Sequence, residues 1–105
     1  MIQQIPVEEL QRKLSAGEPV YLVDVRQQWE HDAAAIPGSV LVPLGELIDR
    51  AGELEPPEGA LVVVYCHHGV RSLSGAALLE PLGAVSLAGG IEAWSLRIDP
   101  SVPRY

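Results

Sequence analysis

The chain has one cysteine, one lysine (Lys13), one methionine, and no phenylalanine, threonine or asparagine in 105 residues. A single cysteine excludes an intrachain disulfide, so the fold must hold by packing, and a reducing compartment would keep the thiol active. No apolar run approaches the ~18 residues needed to cross a membrane. The opening segment Met1-Ile2-Gln3-Gln4-Ile5-Pro6 lacks a basic region followed by an apolar one, so no signal peptide is read and a cytoplasmic protein is expected. Cations are scarce: 7 Lys and Arg stand against 14 Asp and Glu, a net charge of −7. No basic stripe exists to replace counterions at phosphates, which argues against a nucleic-acid partner. Missing asparagine with 9 prolines suits a thermophile. A GC-biased coding sequence gives the same pattern, including Arg over Lys.

What is present is a core-forming pattern. Apolar residues make up 48% of the chain and fall in short periodic blocks, without repeats, low-complexity segments or linkers. One domain over residues 1–105 is expected, with a tail over 98–105. A short edge strand is read over 2–5. Val7, Leu10 and Leu14 recur at helical spacing, with Gly17 as a stop. Strands are predicted over 20–25, 39–42, 61–65 and 84–87. A helical turn is predicted over 27–32, a helix marked by Leu44, Leu47, Ile48 and Ala51, and further helices over 72–82 and 91–96. Strands alternating with helices, and apolar on both faces, imply a largely parallel α/β sheet covered on both sides. Ligands of such sheets bind beyond the carboxyl ends of the strands. Asp24 and Cys66 each end a predicted strand, so they are expected on one rim.

The segment Cys66-His67-His68-Gly69-Val70-Arg71 closes the most apolar run and precedes the helix expected from Ser72. A strand-to-helix junction aims backbone N–H groups and the positive end of a helix dipole at the sulfur. That suits a thiolate nucleophile. Arg71 opposes the dipole of the helix it opens, which suggests an anion to receive. Gly69 lets the loop turn its amides inward. His67 and His68 could activate the thiolate, bind an anionic substrate or be merely exposed. A metal is not expected: three consecutive residues rarely converge on one ion, and His31 is the only further histidine. Asp24 ends a buried strand and needs a partner. Arg71, the loop amides, or a capping role in the following turn would supply one. Arg26 is read as a supporting residue. Trp29 and Trp94 are read as packing residues, and Glu30, Asp32, Glu53, Glu55 and Glu58 as solvated charge.

Together these segments resemble the single-domain rhodaneses, a sulfurtransferase family. Val20-Tyr21-Leu22-Val23-Asp24-Val25-Arg26 is similar to the family's Leu-Ile-Asp-Val-Arg strand, and Ile36-Pro37-Gly38-Ser39 to its His-Ile-Pro-Gly-Ala turn. Cys66 to Ser72 resembles its Cys-Arg-x-Gly-x-Arg-Ser loop, and Leu87 to Trp94 its Leu-x-Gly-Gly-x-x-x-Trp segment. The resemblance implies a three-layer fold with a mainly parallel five-stranded sheet and helices on both faces. It implies double displacement without a cofactor. Cys66 would take sulfane sulfur from thiosulfate or a similar donor and pass it, as a persulfide, to cyanide or a thiol. Amides from His67, His68, Gly69, Val70, Arg71 and Ser72 would cradle it, and Arg71 would orient the donor or brace the loop. A sulfur-relay protein is a further expected partner. Two positions depart from the pattern. His67 replaces a frequent Arg or Lys, weakening attraction for the thiosulfate dianion, and Ala35 replaces a histidine. Two alternatives remain open: a phosphatase-type loop, which has one more residue between Cys and Arg, and a carrier module loaded by a partner protein.

Overall fold

The computed structural model describes residues 2–105. Five strands form one sheet: β1 (Gln4–Ile5), β2 (Val20–Asp24), β3 (Val40–Leu41), β4 (Leu61–Tyr65) and β5 (Val85–Leu87). Their order is β1-β5-β4-β2-β3, and every neighbouring pair is parallel. The most apolar segment is therefore the central strand, as its burial on both faces requires.

Alternation of side chains along β4 divides the core in two. Val62, Val64 and Cys66 face one layer, where Val23, Val25, Leu47, Ala76 and Leu79 pack. Val63 and Tyr65 face the other, against Val7, Leu10, Ile91 and Trp94. The first layer is built by α3 (Leu47–Arg50) and α4 (Arg71–Leu78), the second by α1 (Val7–Ser15) and α5 (Gly90–Arg97). α1 has Glu8 and Glu9 in its first turn and Arg12 and Lys13 in its last, matching the helix dipole at both ends.

Two predicted helices are shorter than expected. The segment from Leu44 breaks into a 3-10 turn (Leu44–Glu46), α3 and a second 3-10 turn (Ala51–Glu53), with the poor helix formers Gly45 and Gly52 on either side of α3. The helix expected to reach residue 82 stops at Leu78 and continues as a 3-10 turn (Glu80–Leu82), because Pro81 lacks the N–H an α-helix needs. Trp94 packs in the core as expected, whereas Trp29 is 64% exposed on α2 (Gln28–Ala33). The tail folds back on the α1/α5 layer, where Val102 is buried and Ser95 Oγ donates to its carbonyl at 2.5 Å.

Candidate functional site

Asp24 and Tyr65 are register partners, so β2 and β4 end together, and Val25 N–H donates to the Tyr65 carbonyl at 3.1 Å. Cys66 and the Asp24–Arg26 segment leave the sheet on the same rim, as the sequence predicts. The Cys66 thiol is buried. Its Sγ accepts the N–H of Gly69 at 3.1 Å and the N–H of Ser72 at 3.3 Å. The Ser72 hydroxyl lies 3.5 Å from the sulfur and 2.7 Å from the Ser86 hydroxyl, so β5 anchors it. Ser72 sits in the first turn of α4, whose positive dipole end faces the sulfur. Such donors stabilise negative charge on sulfur, whether thiolate or persulfide.

A second helix holds the loop from the opposite side. Ile91 N–H, in the first turn of α5, donates to the Cys66 carbonyl at 2.9 Å, and Glu92 N–H donates to the His67 carbonyl at 3.1 Å. The close approach requires glycine. A Cβ on Gly90 (φ +60°) would lie 2.7 Å from the His67 carbonyl carbon and closer to the Cys66 and His67 carbonyl oxygens. Gly69, at φ +95°, is confined in turn by the Gly89 amide, which would be 3.0 Å from its Cβ. The Gly89-Gly90 pair, noted in the sequence only through resemblance, thus acts by admitting the loop against α5.

The charged residues depart from expectation. Asp24 contacts neither Arg71 nor the loop amides, and it does not cap α2. It lies on the α1/α5 side of the sheet, where Arg26 claims both oxygens, Nε at 2.8 Å and an Nη at 2.7 Å, and His31 Nδ1 lies at 2.8 Å. Arg26 is fully buried and also donates to the Ala34 carbonyl at 2.6 Å and to the Tyr105 hydroxyl at 2.9 Å. Burial alone would lower its pKa, but the bonds to Asp24 and Tyr105 outweigh it and keep the guanidinium charged. Arg71 pairs instead with Glu30 through two parallel bonds of 2.7 and 2.8 Å. Glu30 is not solvated charge. It is buried and also accepts the Gln27 N–H at 3.0 Å and the Tyr105 hydroxyl at 2.6 Å. Its bonds to Arg71 hold its pKa down to about 2, against the opposing effect of burial. The Gln27-x-x-Glu30 spacing at a helix start was the available signal for a carboxylate turned back onto its own chain.

Tyr105 joins these groups. It bonds both Arg26 and Glu30, and burial raises its pKa to about 12. Its ring stacks on His67 at 4.1 Å, and His67 stacks on His68 at 3.9 Å. Burial, then the neighbouring His68, pushes the His67 pKa below its ordinary value, so the ring is neutral at pH 7. His68 and Val70 are exposed. Donor atoms of His67, His68 and Glu92 lie within 4.8 Å of one another. Arg104 engages both Glu92 oxygens at 2.9 Å, so a metal there would have to displace an ion pair. His31, the other histidine weighed from sequence, is held by Asp24 away from this group. A separate cleft of about 420 Å³, between Gln28, His31, Pro43 and Arg50, includes no residue of the Cys66 loop.

Residues 6–97 match the family model described as a rhodanese-like domain. The chain is 35% identical over 100 residues to the Mycobacterium tuberculosis protein named "Probable adenylyltransferase/sulfurtransferase MoeZ", covering 92% of this chain and 26% of that protein. It is 35% identical over 98 residues to an Allochromatium vinosum protein named "Sulfurtransferase", covering 90% of each. The crystal structure of a rhodanese-like domain protein from Staphylococcus aureus is similar with a TM-score of 0.81 and 30% identity, over 99% of each chain. The chain spans about a quarter to a half of the length of the first curated relatives it matches.

Proposed function

The chain belongs to the rhodanese-like domain family of sulfurtransferases, and from that premise we propose that it passes sulfane sulfur from donor to acceptor as a persulfide on Cys66. The observation that carries the proposal is the convergence of the Gly69 and Ser72 amides on Sγ, at 3.1 and 3.3 Å. In the first step the Cys66 thiolate attacks the outer sulfur of thiosulfate or a similar donor. The new S–S bond forms as the donor's own bond to that sulfur breaks, and the leaving group departs with the electron pair. In the second step cyanide or a thiol attacks the outer sulfur of the persulfide, and the Cys66 thiolate is restored. The amides act on charge at sulfur as oxyanion-hole donors act on oxygen. Arg71 and Glu30 position the loop. These 105 residues hold no second cysteine to resolve the persulfide, so the acceptor lies outside this domain. A sulfur-relay protein fits that role, and a reducing cytoplasm would keep Cys66 ready.

Intact mass after incubation with excess donor tests this, with thiosulfate and glutathione persulfide in separate arms. A gain of one sulfur atom, about 32 Da, removable by cyanide and absent in Cys66→Ser, is expected. No adduct with either of these donors or with a persulfidated protein refutes it. A second reading, a carrier loaded by a partner protein, is favoured by 33% identity over 97 residues to the Bacillus subtilis protein named "Putative sulfur carrier protein YrkF". It predicts loading from a protein donor without turnover on free thiosulfate.

A further inference from the structure

Ser86 is the one polar residue of β5, and it is fully buried. It pairs in register with Val64, so its side chain lies on the α4 face, whose core holds Val64, Ala76 and Ala84. A hydroxyl in such a layer costs stability unless it is bonded. Among the described residues, the hydrogen-bond partner of this hydroxyl is the Ser72 hydroxyl, at 2.7 Å. The sequence allows the two to meet by keeping α4 close to the sheet. Ser72, Gly75 and Ala76 share one helix face at i, i+3 and i+4, and all three are buried. A Cβ on Gly75 would lie 3.0 Å from a Val64 methyl, so a larger residue there would push the helix outward.

The Ser72 hydroxyl lies in turn 3.5 Å from Sγ. Cys66, Ser72 and Ser86 therefore form a buried chain of three polar atoms joined by two contacts. Counting protons gives the chain a direction. A thiol brings three protons to two contacts, so one proton has no acceptor within the chain. A thiolate, or the protonless inner sulfur of a persulfide, leaves two protons for two contacts. One arrangement then places both: Ser86 donates to Ser72 Oγ, and Ser72 donates to Sγ. If Ser72 turned to donate to Ser86, the Ser86 proton would be stranded in the apolar layer at a desolvation cost. Without the Ser86 hydroxyl that penalty is gone. The Ser72 hydroxyl could then donate back to a carbonyl of the preceding turn, as helix serines do.

We infer that Ser86 is a positioning residue for the Cys66 nucleophile proposed above: it donates to Ser72 Oγ and thereby holds the Ser72 proton on the sulfur. It touches no reacting atom. It acts from β5 through Ser72, and its bond polarises the Ser72 hydroxyl toward stronger donation.

Cys66 is the only cysteine of these 105 residues, so its alkylation by iodoacetamide is read without interference. The rate is followed against pH in the unmodified protein, Ser86→Ala, Ser86→Thr, Ser72→Ala and the double variant with both alanines. Circular dichroism and a melt check that each folds. On the rising limb of the profile, Ser86→Ala is expected to react about three- to tenfold more slowly, while the high-pH plateau stays within about twofold. Ser86→Thr keeps the hydroxyl and restores the limb. In the Ser72→Ala background, Ser86→Ala adds no further slowing, because it acts only through Ser72. A limb unchanged in Ser86→Ala, or not restored by a folded Ser86→Thr, overturns the inference. So does equal slowing of limb and plateau, which marks a displaced loop, and so does full additivity with Ser72→Ala. If Ser86→Thr does not fold, the alanine variants and their double decide alone. Sulfur loading from thiosulfate, glutathione persulfide and a persulfidated protein is measured on the same proteins. The expected profile with no loading from any donor supports the inference and overturns the persulfide. Loading with an unchanged profile does the reverse.

Discussion

Replacing Gly90 by alanine tests whether α5 builds the Cys66 loop or merely lies near it. The new Cβ would be driven into the Cys66 and His67 carbonyls, which are backbone atoms that cannot rotate away. Positive φ adds a steric cost of about 1–2 kcal/mol for any residue with a Cβ. Overpacking of this kind adds about 1–3 kcal/mol. Moving the helix away to relieve the contact sacrifices the bonds from Ile91 and Glu92, each about 0.5–1.5 kcal/mol. The expected loss is about 3–5 kcal/mol, set against a typical total stability of about 5–15 kcal/mol. Urea melts measure the loss directly, and the melting temperature should fall by more than about 10 °C. Sulfur loading of the folded fraction should slow as well, because the loop amides are displaced from Sγ. Gly52→Ala is the control: its Cβ meets nothing within 4 Å and its φ is ordinary, so its stability should stay within about 1 kcal/mol. If Gly90→Ala melts like the unmodified protein and loads at the same rate, the role given to α5 is wrong.

Four further outcomes follow from the charged network and its neighbours. Glu30 has a folded pKa of about 2 against an ordinary 4.5, so its stabilisation is complete above about pH 4.5 and is lost as pH falls toward 2. The stability gap between the unmodified protein and Glu30→Gln should shrink over that window by about 3 kcal/mol in urea melts, and a constant gap would refute the assignment. Arg26→Met leaves the buried Asp24 carboxylate only the backbone N–H of residue 26 and His31, and should cost about 3–5 kcal/mol. Asp24→Leu combined with Arg26→Met should recover part of it, and no recovery in denaturant melts would count against a buried pair. Tyr105→Phe keeps the stack on His67 and deletes the hydroxyl bonds to Arg26 and Glu30, for an expected loss of about 1–3 kcal/mol. Tyr105→Ala uncovers His67, so its pKa, followed by NMR, should rise toward its ordinary 6.5; an unchanged titration would refute burial as the cause of its depression.

The sequence made the sheet legible because its strands are short, apolar throughout and separated by helices at regular intervals, and such segments leave few alternatives to parallel pairing. It made Cys66 legible because the residue stands alone at a junction between two periodicities. The charge partners were harder. Asp24 and Arg71 are each a lone charge at a buried end, and pairing them was a fair guess along the chain. The pleat decides otherwise: Asp24 follows Leu22 onto the α1/α5 face, whereas Cys66 follows Val64 onto the α4 face. Glu30 was misread because a glutamate in a polar helical turn looks the same whether it faces water or turns inward. Tyr105 lay beyond local reading, since its partners are 79 and 75 residues away.

Why the loop needs two helices becomes clear when its donors and acceptors are separated. Each residue from Cys66 to Ser72 brings an N–H and a carbonyl, with opposite effects on a charged sulfur. A tight loop that turned both inward would gain little. Here the N–H groups of Gly69 and Ser72 face Sγ, while the carbonyls of Cys66 and His67 face the first turn of α5, where helix N–H groups lack intrahelical partners. α4 supplies positive potential to the sulfur, and α5 draws carbonyl oxygens away from it. The requirement for Gly90 and the placement of Ser72 are two sides of one sorting of polarity. If that sorting is what permits a persulfide anion on Cys66, loosening α5 should weaken persulfide retention even where Sγ and its own amides are untouched. Glu92→Pro removes the N–H donated to the His67 carbonyl together with the Arg104 ion pair, and Glu92→Ala, which removes the pair alone, is the reference that separates the two. The persulfide, loaded and then freed of donor, should lose its sulfur to cyanide several-fold faster, on the order of one hydrogen bond's worth. An unchanged rate would mean that the amides on Sγ suffice alone.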